Sequence, residues 1–137
     1  MTPEDLSTLH AAAFTMPRPW SAKEFADLLA SPLVFVIVTG PAFAMGRVIA
    51  GEAELLTIAT DPAQQRQGHG RAALIAFETE ARARGGETAF LEVAATNPGA
   101  LALYLSNGWQ LTGRRPGYYH APDGSLVDAQ ILGKSLT

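Results

Sequence analysis

Two side chains in this sequence are well placed by type and spacing to move protons, Glu92 and Tyr104. Glu92 is the only charged residue in the run Ala89-Phe90-Leu91-Glu92-Val93, and a carboxylate in an apolar strand costs free energy unless it meets a partner or a hydrated cleft. Two readings are open there: a solvated strand position, or a general base. Tyr104 stands about two helical turns beyond Asn97 among Leu101, Leu103 and Leu105. It reads as a core residue with its hydroxyl at the rim, or as a general acid. Upstream lies Arg66-Gln67-Gly68-His69-Gly70-Arg71, between a strand-like stretch at 54–59 and a helix-like one at 72–77. Glycines flanking one residue let backbone N–H groups turn inward, and a helix starting there adds the positive end of its dipole. With Arg66 and Arg71 this is an anion cradle suited to the pyrophosphate of a nucleotide cofactor.

Gly68-x-Gly70-x-x-Ala73 also satisfies the loose dinucleotide fingerprint, with Glu92 at a tempting distance downstream. That fingerprint needs a strand running straight into the first glycine, whereas residues 61–65 intervene and Glu92 falls inside its strand. The Gly-Lys-Ser/Thr ending of a triphosphatase loop is absent. What remains is Gln/Arg-x-x-Gly-x-Gly/Ala, here Gln65 to Gly70 preceded by Asp61-Pro62, which resembles the acetyl-coenzyme A pyrophosphate loop of the GNAT acetyltransferases.

The elements that must position these groups follow from capping and periodicity. Leu6, Leu9, Ala13 and His10 share a helical face before Pro17, and Phe14 lies at the end of that segment. Ser21-Ala22-Lys23-Glu24 is a capping box opening a helix through Phe25, Leu28 and Leu29 that stops before Pro32. Strands are predicted at 33–38, 44–50 and 52–59. A helix from the cradle to Arg84 is closed by Gly85-Gly86, and a strand at 88–93 follows. Asn97-Pro98 caps a helix that Asn107-Gly108 closes. Strands at 109–112 and 126–132 are joined through a loop carrying Tyr118, Tyr119 and Asp123-Gly124. This order predicts a single α/β domain over residues 1–137, a sheet with helices on its faces.

The resemblance extends well beyond the cradle. Glu92-Val93-Ala94-Ala95-Thr96-Asn97, Ala100-Leu101-Ala102-Leu103-Tyr104, Asn107-Gly108-Trp109 and Arg114-Arg115-Pro116-Gly117-Tyr118-Tyr119 are similar to runs of the RimI group, the ribosomal-protein-alanine N-acetyltransferases. Residues 52–132 match continuously, and Phe14, Pro19-Trp20-Ser21 and Phe25 echo the N-terminal part. The resemblance implies the GNAT fold, a mixed, mostly antiparallel sheet flanked by helices, here without the usual first strand. It implies Glu92 as general base and Tyr104 as general acid, with Tyr104 also at the cofactor. Acetyl-coenzyme A would be held by Arg66, Gln67, Gly68, His69, Gly70 and Arg71, by Asn97, and by the backbone of Leu56, Thr57, Ile58 and Ala59. Trp20, Glu54, Tyr118 and Tyr119 would meet the acceptor. Transfer would be direct, in a ternary complex, and the absence of Cys excludes a cysteinyl acetyl-enzyme.

Two positions depart from the family pattern: Thr60 where Val is usual, and His69 where a bulky apolar residue is common. His69, mid-loop, is expected to point to solvent or to the cofactor rim. His10, His69 and His120 are too scattered for a metal triad, so no metal is expected. Glu52, Glu54, Glu92 and Asp128 would line a negative cleft for a protonated N-terminus if their strands share a face; ordinary solvated positions are the equal alternative.

With 137 residues and 47% hydrophobic content the chain supports one sizeable core. Net charge −3 and two Lys argue against a nucleic-acid surface. The opening residues 1–6 lack a basic and apolar leader, and no run approaches the ~20 apolar residues of a membrane helix. The expectation is a cytoplasmic protein, monomer or weak homodimer, acting on a protein or peptide N-terminus, in particular that of a ribosomal protein. The alternatives are a GNAT enzyme for another N-terminus or a small amine, and a non-catalytic acyl-coenzyme A binding module.

Overall fold

A computed structural model describes residues 1–13 and 18–137. The Phe14 and Pro17 expectations lie outside the described residues. The elements are α1 (Pro3–Ala13), α2 (Ala22–Leu29), β1 (Val34–Thr39), β2 (Ala42–Ile49), β3 (Glu52–Thr60), a 3-10 turn (Pro62–Gln64), α3 (His69–Ala83), β4 (Thr88–Ala94), α4 (Pro98–Ser106), β5 (Gln110–His120) and β6 (Leu126–Ser135). They form one six-stranded sheet in the order β1-β2-β3-β4-β6-β5, in which only β3 and β4 run parallel. The mixed, mostly antiparallel sheet is therefore present, with β1 at one edge and β5 at the other, and no strand precedes β1 among the described residues.

Each face of the sheet carries its own core. On one face α3 and α4 cover Phe35, Leu55, Leu74, Phe77, Leu91, Tyr104, Trp109 and Leu132. On the other, α1 and α2 cover Leu6, Phe25, Val34, Phe43, Met45 and Ala59. Gly46 is where β2 passes α3: a Cβ there would stand 2.4 Å from the Phe77 ring and 2.7 Å from Phe35, so glycine is required for that approach. Glu78, almost fully buried, accepts from Trp109 Nε1 at 3.2 Å and from Lys134 Nζ at 2.7 Å. Lys134 also donates to the Asn107 carbonyl at 2.7 Å, so the buried carboxylate is paired and ties α3 to β6 and to the end of α4.

The capping box at Ser21 forms as expected, with Glu24 N donating to Ser21 Oγ and Ser21 N donating to Glu24 Oε1, both at 3.1 Å. Asn97 Oδ1 accepts from Ala100 N at 3.1 Å and caps α4. The segment with Tyr118 and Tyr119 differs from expectation: it is not loop but the last part of β5. Pro116 lacks an N–H and Gly117 has φ +59, which breaks the ladder without ending the strand. Between Arg115↔Ala129 and Tyr119↔Val127, three residues of β5 face one of β6, after which pairing resumes.

Candidate active site

The site begins where two parallel strands stop pairing. β3 and β4 are in register only over Glu52↔Thr88, Ala53↔Ala89 and Glu54↔Phe90, yet β3 continues to Thr60 and β4 to Ala94. Leu56 is the cause on the β3 side. Its partners in β2 run Gly46↔Leu55 and then Met45↔Thr57, so Leu56 is an extra residue, a bulge that bends the strand. The bulge also switches faces: Ala53 and Leu55 pack under α3, whereas Leu56 and Ala59 pack under α1 and α2. Thr57 is turned the same way, its Oγ1 3.0 Å from His10 Nε2 in α1, while Ile58 returns to the α3 side. Beyond Glu54, β3 thus pairs with β2 alone, and alternate N–H and C=O groups of residues 56–60 face the gap.

At the mouth of the gap lies the cradle. Asp61 caps the 3-10 turn through Ala63 N, Arg66 adopts φ +64, and Gly68 adopts φ +83 at the N-cap of α3 without a side-chain cap. The first N–H groups of α3 are left facing the loop, and this conformation favours glycine at position 68. Arg71 Nε donates to Asn107 Oδ1 at 3.2 Å, which holds it across the start of α3 toward α4. His69 is not mid-loop: it is the first residue of α3, and its ring lies 3.8 Å from where a Cβ on the Gly40 turn would stand. A row of free backbone groups ending in an uncapped helix start with two arginines fits an extended amide arm ending in a pyrophosphate.

Glu92 is on β4, just beyond the last residue paired with β3, on the face away from α3. Its side chain is 19% exposed, and Oε1 is 2.9 Å from Arg115 Nε on β5. Tyr119, half-buried on β5, has its hydroxyl pushed up to about 12, by burial first and then by the charge of Glu92. Tyr104 is buried against Trp109, ring centroids 6.1 Å apart. Burial, with Tyr119 next, pushes its hydroxyl far above the ordinary value, so it holds its proton at any working pH. Tyr119 on β5 is therefore the electrostatic neighbour of Glu92 on β4 and of Tyr104 on α4.

The acceptor-side residues divide. Trp20 lines a groove of about 420 Å³ with Glu24, Asp27, Leu28, Arg47 and Leu56, and Glu54 is bound to Arg47 at 2.8 Å behind it. Tyr118 packs edge-on to Tyr119 at 5.1 Å. The four-carboxylate cleft does not form. Strand alternation puts Asp128 on the face opposite Glu92, where it accepts from Gly117 N at 2.9 Å, while Glu54 and Glu92 each hold an arginine.

Sequence reasoning missed two links. His10 is buried, with Trp20 N donating to its Nδ1 at 3.0 Å; the proton then sits on Nε2 and goes to Thr57 Oγ1, so this histidine fastens the Trp20 segment to β3. Only its place on the apolar face of α1 hinted at that. Arg115 on Glu92 had no local signal, since the pairing exists only across strands. Among the described residues no cluster of metal-ligating side chains occurs, and no helix is long and apolar enough to cross a membrane.

Comparison with known proteins gives the fold and the family. The chain is 42% identical over 123 residues, 87% of its length and 82% of the relative's, to the ribosomal protein bS18-alanine N-acetyltransferase of Escherichia coli (strain K12). It is 39% identical over 120 residues, 81% of its length and 74% of the relative's, to the N-alpha-acetyltransferase RimI of Mycobacterium tuberculosis (strain ATCC 25618 / H37Rv). The crystal structure of the ribosomal-protein-S18-alanine N-acetyltransferase from Escherichia coli superposes with a TM-score of 0.83 at 37% identity, covering 96% of this chain and 85% of that one. Residues 6–109 match the model of the acetyltransferase (GNAT) family. With the splayed parallel pair, the glycine cradle and this match over most of its length, the chain belongs to the GNAT family of acetyl-coenzyme A-dependent N-acetyltransferases.

Proposed function

We propose that this enzyme acetylates the N-terminal α-amino group of a ribosomal protein, an alanine, with Glu92 as base and Tyr104 as proton donor. The observation that carries the chemistry is the position of Glu92: a largely buried carboxylate at the point where β4 leaves β3, next to the gap that would hold the donor. The acceptor rests on the relatives, which are named for the alanine of bS18, and the Trp20 groove, of about 420 Å³, offers room beside the site for its chain.

Acetyl-coenzyme A, when bound, supplies a thioester carbonyl. Arg66 and Arg71 and the N–H groups from Gly68 to Arg71 hold the pyrophosphate, Asn97 meets the arm, and residues 56–59 offer it backbone hydrogen bonds. One N–H of that strand donates to the acetyl oxygen as charge builds there. Glu92 accepts a proton from the incoming ammonium, and the freed amine forms the N–C bond as the C–S bond breaks. Tyr104 would donate its proton to the departing sulfur and be restored by the second proton lost by nitrogen, while Glu92 gives the first to solvent, so one proton is released per transfer. Trp20, Glu54, Tyr118 and Tyr119 orient the acceptor chain.

The test is intact-mass analysis of a peptide beginning Ala-Arg-Tyr-Phe, incubated with enzyme and acetyl-coenzyme A beside an N-terminally blocked copy and a set of polyamines. One acetyl gained by the free peptide alone is the expected result. Acetylation of polyamines only would move the acceptor to a small molecule, and no transfer despite coenzyme A binding would favour a binding module.

A further inference from the structure

The geometry points to Arg115 as a resident counter-ion that the acceptor must displace, so that this arginine sets acceptor affinity. The inference rests on Glu92 being the group that receives the amine.

Arg115 Nε sits 2.9 Å from Glu92 Oε1, within direct hydrogen-bond reach. The carboxylate is 19% exposed and the arginine side chain 54% exposed, so the cation covers the solvent side of the carboxylate. An α-ammonium bound to the same group would stand within about 4–5 Å of the guanidinium, a repulsive arrangement at a partly desolvated site. The neighbouring arginine shows the contrast. Arg114 points to the opposite face, toward Asp128 Oδ2 at 3.7 Å, and Asp128 is also fixed by Gly117 N. Arg115, while it holds Glu92, also lies over the face of Tyr118 on its own strand, 5.4 Å from its guanidinium carbon. It can leave Glu92 without being fully solvated. Entry of the amine is then an exchange of one cation for another on one carboxylate, and the guanidinium keeps its contact with Tyr118 as it gives up Glu92.

The experiment is steady-state kinetics of the full-length enzyme with the Ala-Arg-Tyr-Phe peptide. In Arg115→Ala the acceptor KM should fall about two- to fivefold, the range of a partly exposed ion pair expressed as affinity, with kcat not reduced. Arg115→Lys, which keeps a cation in place, should stay near the wild-type KM. Millimolar methylguanidinium should raise the KM of Arg115→Ala back toward wild type and leave the wild-type KM unmoved. An unchanged or higher KM in a folded Arg115→Ala enzyme overturns the proposal, because the arginine then shares the carboxylate or binds the acceptor. Glu92→Gln separates the two readings: full kcat in that variant removes the base assignment, whereas lost kcat there with unchanged KM in Arg115→Ala removes only the displaced counter-ion.

Discussion

β4 is bonded on its two sides in very different ways. With β6 it pairs from Thr88↔Ser135 through Ala94↔Ala129 without interruption, whereas with β3 it pairs over three residues and then stops. The apolar content of the two neighbours is similar, so the difference is not a failure of hydrophobicity. It comes from one inserted residue, Leu56, which bends β3 away and leaves its backbone to bind something other than a strand. The closed side is therefore continuous sheet, and the open side is where the proposed chemistry lies.

That division is open to attack, starting from the largest expected effect. Glu92→Gln, on the open side, should lower kcat by about 10²–10³-fold in acetyl-transfer assays, the range of a positioned base, while coenzyme A affinity by calorimetry stays the same; Tyr104→Phe should lower kcat by less. If the Gln variant keeps full activity, the base is elsewhere. Leu132→Ala, fully buried in the closed pair, should reverse the pattern: a loss of ~2–5 kcal/mol in denaturant unfolding, with normal kcat per folded molecule. A strong kcat effect there would show that the two sides are coupled.

His10 gives a pH test on the α1 side. Burial pushes its imidazole down from 6.5 to about 4, with Glu24 opposing weakly. Because the folded-state value is depressed, the unfolded chain binds the extra proton between those limits. Stability is full above about pH 6.5 and falls toward pH 4, at a slope of up to about 1.4 kcal/mol per pH unit. Thermal melting across that window should show a flatter dependence in His10→Gln than in wild type. The smallest effect is expected from Arg71→Ala, about tenfold weaker coenzyme A binding by titration, one charge-assisted contact, with kcat at saturation little altered.

The sequence was most legible where a side chain answers its own neighbourhood. The Ser21 box and the Asn97 cap are hydrogen bonds between residues three apart, and Gly68 is required by its own φ, so local pattern was enough. The GNAT resemblance carried the fold and the cofactor because its motifs are of this local kind. What stayed hidden depends on partners far along the chain. Leu55-Leu56-Thr57 looks like any strand, and only its pairing with β2 makes Leu56 a bulge. Pro116-Gly117 reads as a chain break, yet β6 draws β5 on to His120 and makes strand residues of Tyr118 and Tyr119. The face taken by Asp128 follows from cross-strand register, which composition does not encode.

The bent half of β3 has a kinetic signature of its own. Along residues 56–60 the amide hydrogens alternate between those given to β2 and those turned to the gap. In hydrogen-exchange measurements a single strand should therefore show two populations, slow and fast in alternation, instead of the uniform protection of an interior strand. The fast set becomes a built-in ruler for the donor: each amide that slows on adding coenzyme A marks one position where the bound arm has taken the place of a seventh strand.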